Sequence, residues 1–274
     1  MSTAPTERLL EIMRRLRAEG GCPWDREQTL QSLKQYLVEE CYEVLDAIDS
    51  GDPRKHEEEL GDLLLQVVFQ AQIRAEAGAF TFHDVANRIA EKLIRRHPHV
   101  FGDVQVTGTG EVLANWDAIK AQEHAAPRSS VVGGVPRHLP ALMKAHQVQS
   151  RAARVGFDWS QVHDVVAKID EELAEVKEAL ATGDQAHVAE EIGDLLFAVV
   201  NLSRFRKLHA EELLADTVDK FARRFQEVER RAQAAGRNLT DCTLTEMDAF
   251  WDAAKMEEAG RAAEREAPAA PAGE

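Results

Sequence analysis

The chain is poor in aromatic residues and in cysteine. Only 6% of its 274 residues are Phe, Trp or Tyr, and it has three cysteines. Because Cys22, Cys41 and Cys242 lie far apart and fit no metal-ligand spacing, neither a disulfide framework nor a zinc motif is expected. Such cysteine usage is typical of proteins in a reducing compartment, so we expect a cytoplasmic location.

The sequence also lacks long apolar runs and an excess of basic residues. No apolar run approaches the roughly 18 residues of a membrane helix, and the start "MSTAPTERLLEIMRRL" resembles an amphipathic helix rather than a signal peptide. The formal net charge of −15 argues against nucleic acid polymers as partners. Neither a membrane nor a nucleic acid is therefore an expected partner. A phosphorylated small molecule stays possible if a divalent cation lies between it and the acidic groups.

What the sequence does contain is a long internal repeat. The stretch "EELGDLLLQVV" (Glu58–Val68) matches "EEIGDLLFAVV" (Glu190–Val200) at eight of eleven positions, 132 residues apart. Helical periodicity dominates both halves and no strand pattern is present. We therefore predict an all-α fold built as a tandem repeat of two small helical bundles.

The helices and domain limits follow from periodicity and from helix-breaking residues. The predicted helices include Leu30–Ile48, Arg54–Ala77, Phe82–Arg96, Val162–Ala181, Gln185–Leu208 and Leu244–Glu258. The stretch "APRSSVVGGVP" has the composition of a linker. The predicted organisation is an N-terminal domain at 1–125, a linker at 126–136, a C-terminal domain at 137–258 and a disordered tail at 259–274.

Each half carries acidic residues three positions apart on two successive helices. Since a short turn joins these helices, they must be antiparallel neighbours, and residues three apart share a helix face. Four carboxylates can then converge in each half. They are Glu172, Glu175, Glu191 and Asp194 in the second half, and Glu40, Glu43, Glu59 and Asp62 in the first.

The alternative is that these acids form ordinary solvated helix faces. Two features argue against it. The helix around Leu60, Leu64 and Val67 is apolar almost all round, so much of it should be buried and its acids partly enclosed. Gly61 and Gly193 lie mid-helix, where glycine costs about 1 kcal/mol relative to alanine, which indicates close approach of another helix or of a ligand.

Clustered carboxylates repel one another unless they are protonated or bind a cation. Oxygen ligands suit Mg²⁺, Mn²⁺ or Ca²⁺, and Mg²⁺ usually completes its shell with water and substrate phosphates. Di-iron bundles need a Glu-x-x-His motif, and none of the ten histidines has a glutamate three residues before it. The sequence therefore favours a hard divalent cation and a phosphate ester.

A cationic motif and a tryptophan motif are repeated too. "KLIRR" contributes Lys92, Arg95 and Arg96, and "KFARR" contributes Lys220, Arg223 and Arg224. They could contact phosphates or simply form a solvated basic face. "NWDAIK" recurs as "FWDAAK", whose tryptophans, Trp116 and Trp251, could belong to the core or stack on a base.

Taken together, these motifs resemble the MazG family of nucleoside triphosphate pyrophosphohydrolases over nearly the whole chain. "CPWD", "RRHPHVFGD" and "ARVGFDW" are similar to further family signatures. The resemblance implies a homodimer that uses Mg²⁺, or Mn²⁺ in its place, to hydrolyse nucleoside triphosphates to monophosphates and pyrophosphate. It also implies that the C-terminal copy carries the activity, although the N-terminal copy here keeps every acid.

The resemblance further implies roles for particular residues. The metal ligands would be Glu172, Glu175, Glu191 and Asp194, with Glu40, Glu43, Glu59 and Asp62 as their N-terminal counterparts. The nucleotide contacts would be Lys168, Glu171, Lys220, Arg223, Arg224 and Trp251. Glu171 or Glu175 is the expected general base, and the sequence does not separate a base from a metal ligand.

Two other classes of function stay open at this point. One is a non-catalytic helical regulator whose acidic clusters only bind metal or nucleotide. The other is a scaffold that binds protein partners. Because only an enzyme releases monophosphate and pyrophosphate, identifying the products distinguishes the three.

Overall fold

The computed structural model describes residues 4–122 and 130–266. Within these ranges the chain is helical and contains no strand. It divides into two compact units, Met1–Ala126 and Pro127–Glu274. The prediction of an all-α fold is thereby confirmed. The limits given to the domains, linker and tail stay predictions, and residues 126–129 of the linker and 267–274 of the tail lie outside the described residues.

The first unit is arranged around one long helical hairpin. Its helices are α1 (Pro5–Arg17), α2 (Pro23–Glu27), α3 (Leu33–Ser50), α4 (Pro53–Glu76), α5 (Phe82–Arg96), α6 (Pro98–Phe101) and α7 (Thr109–Gln122). Helices α3 and α4 form the hairpin. Helices α1 and α5 pack against α4, and α7 packs against α5.

The second unit repeats this plan. Its helices are α8 (Ala141–Arg154), α9 (Val162–Thr182), α10 (Gln185–Phe205), α11 (Ala210–Ala234) and α12 (Leu244–Glu266), with a 3₁₀ turn at Leu239–Asp241. Helices α9 and α10 form the hairpin and α8 packs against α10. Helix α11 packs mainly against α12 and also against α8.

The two hairpins use the same turn chemistry, at Ser50–Asp52 and at Thr182–Asp184. The central glycine is left-handed in both, with φ of 66° and 74°, a conformation that glycine adopts without strain. The preceding hydroxyl donates to the alanine carbonyl three residues earlier, at 2.7 Å in each turn. The aspartate side chain then accepts backbone N–H groups at the start of the next helix. The repeated local sequence thus fixes both antiparallel pairs.

The core of the first unit is smaller than the sequence suggests. Met13, Leu33, Val68 and Phe69 form a buried cluster between α1, α3 and α4. However, several apolar residues of α4 are exposed, namely Leu60, Leu64 and Val67. The expectation that much of α4 is buried is correct for one side, which includes Val68, Phe69 and Ala71. It is wrong for the side of Leu60, Leu64 and Val67, because the helices of its own unit leave that side uncovered.

Some helix ends also differ from the predicted ones. Helix α12 continues to Glu266, eight residues past the predicted end at Glu258, because "EAGRAAERE" is rich in helix-favouring residues. Helix α10 ends at Phe205 rather than Leu208. Lys207 has a φ of 59°, which a helix cannot continue through.

Candidate metal and nucleotide site

The acidic residues of each hairpin converge, as the sequence predicts. In the second unit, carboxylate oxygens of Glu172 and Glu175 on α9 and of Glu191 on α10 all lie within 4.8 Å of one another. We call these three residues the acidic trio. The first unit brings together the equivalent residues at the 132-residue offset, Glu40, Glu43 and Glu59.

The fourth predicted carboxylate of each set is not a member of these groups. Asp194 is exposed and lines a neighbouring cavity together with Glu172. Burial raises the pKa of Glu40, and Asp62 lies close enough for its negative charge to raise it further. The position of these aspartates one turn further along the helix explains why they flank the groups.

Glu172 is the most enclosed member of the acidic trio, with only 6% of its surface exposed. Lys168, one turn earlier on α9, places its Nζ 2.8 Å from Glu172 and 2.7 Å from Glu171. The hydrogen bonds to Glu171 and then to Glu172 raise the pKa of Lys168, so its ammonium stays charged. This single cation is paired with the only buried carboxylate of the trio.

The electrostatic environment of the acidic trio favours a bound cation. Partial desolvation, and then the negative charge of Glu172, raises the pKa of Glu175. Desolvation is likewise the largest cause of the raised pKa of Glu40 in the first unit. On α10, His187 lies beside the trio, with its Nδ1 3.3 Å from Glu191. Three close carboxylates, of which only Glu172 is paired with a lysine, fit a divalent metal, whose oxygen-ligand preference they match.

The mid-helix glycines next to the acids face open space. A Cβ atom built on Gly61 or on Gly193 would meet no described atom within 4 Å. The close helix packing that the sequence suggested at these positions is therefore absent from the described part of the chain. The open space leaves room for a ligand or for a helix of a second chain.

A cavity of about 440 Å³ adjoins the acidic trio, between α8, α9, α10 and the loop that follows α8. Its wall combines charged, aromatic and amide side chains. The charged ones are Lys168, Glu172, Asp194 and Arg204, the aromatic ones Phe157, Trp159 and Phe197, and the amides Gln149 and Asn201. A concave, mostly apolar space with a few polar groups is the usual form of a small-molecule site.

An ion pair holds the aromatic loop against α10. Arg204 binds both carboxylate oxygens of Asp158, at 3.0 and 2.5 Å, and its Nε donates to Asn201 Oδ1 at 2.8 Å. This bidentate geometry fixes the loop that carries Phe157 and Trp159. This arrangement was not predicted from the sequence, where "ARVGFDW" was interpreted only as similar to a family signature.

The predicted cationic contacts lie elsewhere in the second unit. Arg224 pairs with Glu258 at 2.8 Å and lies over the Trp251 ring, 5.7 Å from its centroid, while Lys220 and Arg223 are exposed. Among the described residues, no Cα atom of α11 lies within 8 Å of one in α9. The structure therefore groups Lys168 with Glu171 and the acidic trio, and Arg224 with Trp251, without joining the two groups.

The first unit differs from the second where the cavity lies. At the 132-residue offset, Tyr36 corresponds to Lys168 and Phe69 to Asn201. Phe69 is 3% exposed, and Trp24, from the "CPWD" motif, packs edge-on against both Tyr36 and Phe69. Apolar core side chains thus occupy positions that carry polar cavity-lining residues in the second unit.

Comparison with known proteins decides the family. The model of the MazG nucleotide pyrophosphohydrolase domain matches residues 28–101 and 160–229, one match in each unit. The chain belongs to the MazG family. Both matched segments contain the hairpin and its acids, so the resemblance drawn from the motifs is confirmed.

Two MazG proteins show how far the similarity extends. The nucleoside triphosphate pyrophosphohydrolase/pyrophosphatase MazG of Thermotoga maritima is 47% identical over 249 residues, which cover 91% of this chain and 95% of the relative. The nucleoside triphosphate pyrophosphohydrolase of Escherichia coli is 49% identical over 256 residues, covering 92% and 97%. The similarity therefore includes both units rather than one domain.

No helix in the described ranges has the length and apolar character that a membrane crossing requires.

Proposed function

We propose that this MazG-family chain is a cytoplasmic hydrolase that cleaves nucleoside triphosphates to nucleoside monophosphates and pyrophosphate. The observation that carries the proposal is the adjacency of the acidic trio and Lys168 to a cavity of ligand size. The activity for which the two relatives are named supports the same reaction, since both match the chain almost end to end. A cation site beside a cavity would also suit a regulator that binds a nucleotide without cleaving it, so the products of the reaction distinguish the two.

We propose Mg²⁺ as the cation, with Mn²⁺ able to substitute. Glu172, Glu175 and Glu191 would hold it, with Asp194 on the cavity wall completing the set. When bound, the cation neutralises charge on the phosphates and acts as a Lewis acid. Because the chain has a net charge of −15, a triphosphate needs such a bridge to approach these carboxylates.

Lys168 and Glu171 are suited to act together on the substrate. The Lys168 ammonium is bound to Glu171 and Glu172 in the structure, and a phosphate oxygen could replace one of these partners. That exchange would free the exposed Glu171 carboxylate to take a proton from the attacking water. Glu175 is the other candidate base, since its carboxylate lies beside Glu172 and Glu191 in the same group.

The second cationic group would bind the triphosphate from another side. Lys220 and Arg223 are exposed and free to reach a ligand, and Arg224 is held by Glu258 over Trp251. Guanidinium groups bind phosphate oxygens in pairs. Their role as nucleotide contacts, and that of Trp251, remains part of this proposal.

The reaction itself is tested by separating the products. Incubation with mixed nucleoside triphosphates and Mg²⁺ should yield the monophosphates and pyrophosphate in equal amounts. A parallel reaction with the Glu172→Gln variant excludes a contaminating phosphatase. Release of diphosphate and orthophosphate would show a different phosphatase, and binding without any product would favour the non-catalytic regulator.

We also propose that the chain forms a homodimer. The α9–α10 hairpin leaves large apolar side chains in solvent, among them Leu173, Leu180, Ile192, Leu196 and Val199. A two-helix unit cannot cover both its faces, and a second copy related by a two-fold axis would bury the remaining one.

The expected result is a mass in solution twice that of the 30.5 kDa chain. Multi-angle light scattering at micromolar concentration measures it. Leu196→Glu, which introduces a charge on this face, should shift the mass towards that of one chain, whereas Leu244→Glu, at an exposed site at the start of α12, should not. A monomeric wild-type mass would refute the dimer.

A further inference from the structure

The cavity wall beyond the acidic trio has the composition of a site for a flat aromatic ligand. Phe157 is 80% exposed, although it lies on a loop that an ion pair holds in place. Trp159 and Phe197 line the same space. Exposed aromatic rings that border a concave surface lose unfavourable contact with water when a planar group stacks on them.

Gln149 provides a directed hydrogen-bond acceptor in this wall. It is only 8% exposed, and its Nε2 donates to the Phe197 carbonyl at 2.8 Å. Since a carbonyl oxygen can only accept, the amide nitrogen must face it and the orientation of the amide is fixed. Gln149 Oε1 is buried and has no hydrogen-bond donor among the described residues. An unpaired buried acceptor is costly, so this oxygen indicates a missing donor. Because its surface is covered in the unliganded chain, a ligand reaches it only when the side chains around it move aside.

Asn201 on α10 presents the complementary group. It is 4% exposed and its Oδ1 accepts from Arg204 Nε at 2.8 Å. With its oxygen engaged, the amide nitrogen is the end that can donate to a ligand. The cavity therefore offers one fixed acceptor, one fixed donor and aromatic faces, which together match the edge and the face of a heterocyclic base.

We propose that this cavity binds the nucleobase of the triphosphate and that Gln149 Oε1 accepts a hydrogen bond from an exocyclic amino group. Phe157 and Trp159 stack on the base. Adenine and cytosine nucleotides, which carry such an amino group, are then preferred over those of hypoxanthine and uracil. The inference rests on the proposed function for the position of the phosphates beside Lys168 and Glu172.

The first unit supports this assignment by contrast. It has the same hairpin and the same acids, yet Phe69 and Tyr36 stand where the second unit has Asn201 and Lys168, and Phe69 is part of the packed core. The acids that line the cavity are therefore shared by both units, whereas Lys168 and Asn201 are specific to the second.

Stacking is tested with Phe157→Ala. The dissociation constant for α,β-methylene-ATP, measured by calorimetry with Mg²⁺ present, should rise roughly tenfold, since stacking on an aromatic ring contributes about 1–3 kcal/mol per base. The melting temperature should not change, because the side chain is exposed. The matched control is Phe101→Ala, at another exposed phenylalanine in the first unit, which should leave binding unaltered. Unchanged affinity in Phe157→Ala would overturn the stacking role.

Base recognition is tested with nucleotide pairs in which a carbonyl replaces the amino group and the adjacent ring nitrogen changes from an acceptor to a donor. Wild-type kcat/KM should favour ATP over ITP, and CTP over UTP, by roughly three- to tenfold, the effect of one net hydrogen bond. In Gln149→Leu both ratios should fall to about one, while pyrophosphate release continues. Equal rates in the wild type, or ratios unaltered in the variant, would refute the role of Gln149.

The two experiments separate this inference from the proposed reaction. Binding of the methylene analogue needs no turnover, so a Phe157 effect without any hydrolysis would refute only the reaction. Hydrolysis with an unaltered affinity in Phe157→Ala would refute only the pocket. A melting curve for Gln149→Leu shows whether the variant is folded, so that a change in the rate ratios can be assigned to the missing amide.

Discussion

Removal of divalent metal is expected to lower the rate of nucleoside triphosphate hydrolysis by at least about a thousandfold. The acidic trio places three carboxylates within 4.8 Å of one another, and Lys168 is the one cation paired with it among the described residues. A triphosphate cannot approach this charge without a cation between the two. Pyrophosphate release, measured with excess EDTA and again after addition of Mg²⁺, should fall to background and then recover.

The same experiment has a readout that does not depend on turnover. Because a bound cation relieves repulsion in the folded state alone, Mg²⁺ should raise the melting temperature of the wild-type chain. Glu172→Gln should reduce that increase, since it removes the buried carboxylate of the acidic trio. Full turnover in excess EDTA, with no effect of Mg²⁺ on melting, would show that the carboxylates serve another purpose.

Local sequence was sufficient to predict most of the fold. The bounds of α5 agree with the predicted Phe82–Arg96, because Thr81 and Asp84 form a capping box and Pro98 prevents continuation. The hairpin turns are equally local, being set by a hydroxyl, a glycine and an aspartate in succession. Carboxylates three residues apart on joined helices had to converge, and three of four in each unit do.

The cavity could not be predicted in the same way. Gln149 lies on α8 and Asn201 on α10. Nothing in the sequence around either residue distinguishes a buried amide from a solvated one. Their burial depends on how α8 packs against α10, which is a tertiary property. The burial of the uncovered face of α4 was predicted wrongly for a related reason. Apolar periodicity predicts that a helix face is buried, but it does not show whether the same chain or a second copy buries it.

One signal in the sequence could have indicated the cavity. Comparing the two halves at the 132-residue offset shows polar residues in the second half, Lys168 and Asn201, where the first has Tyr36 and Phe69. Residues that are the same or similar in both halves serve a feature that both units have, here the acidic groups and the hairpin turns. A polar residue in one half at a position that is aromatic in the other, within otherwise matching helices, indicates a feature that only one unit has.

This difference between the units leads to the last prediction. Glu175→Gln is expected to reduce kcat by about a thousandfold, and Glu43→Gln, its counterpart in the first unit, by less than about threefold. Both substitutions keep the side-chain volume and remove one negative charge from an equivalent carboxylate group. The expected asymmetry comes from the surroundings, since Tyr36 and the buried Phe69 stand at the positions of the cavity-lining Lys168 and Asn201.

The comparison is made by single-turnover and steady-state kinetics on the two full-length variants, with melting temperatures measured in parallel. Binding of Mn²⁺ by the Glu43→Gln variant, compared with the wild type, shows whether the first unit holds a metal without catalysing. If both variants lost activity equally, the two units would be comparable catalytic sites and the packed side chains of the first would have to move. A larger loss in Glu43→Gln would place the chemistry in the first unit. The cavity of the second unit would then lack carboxylates positioned for catalysis.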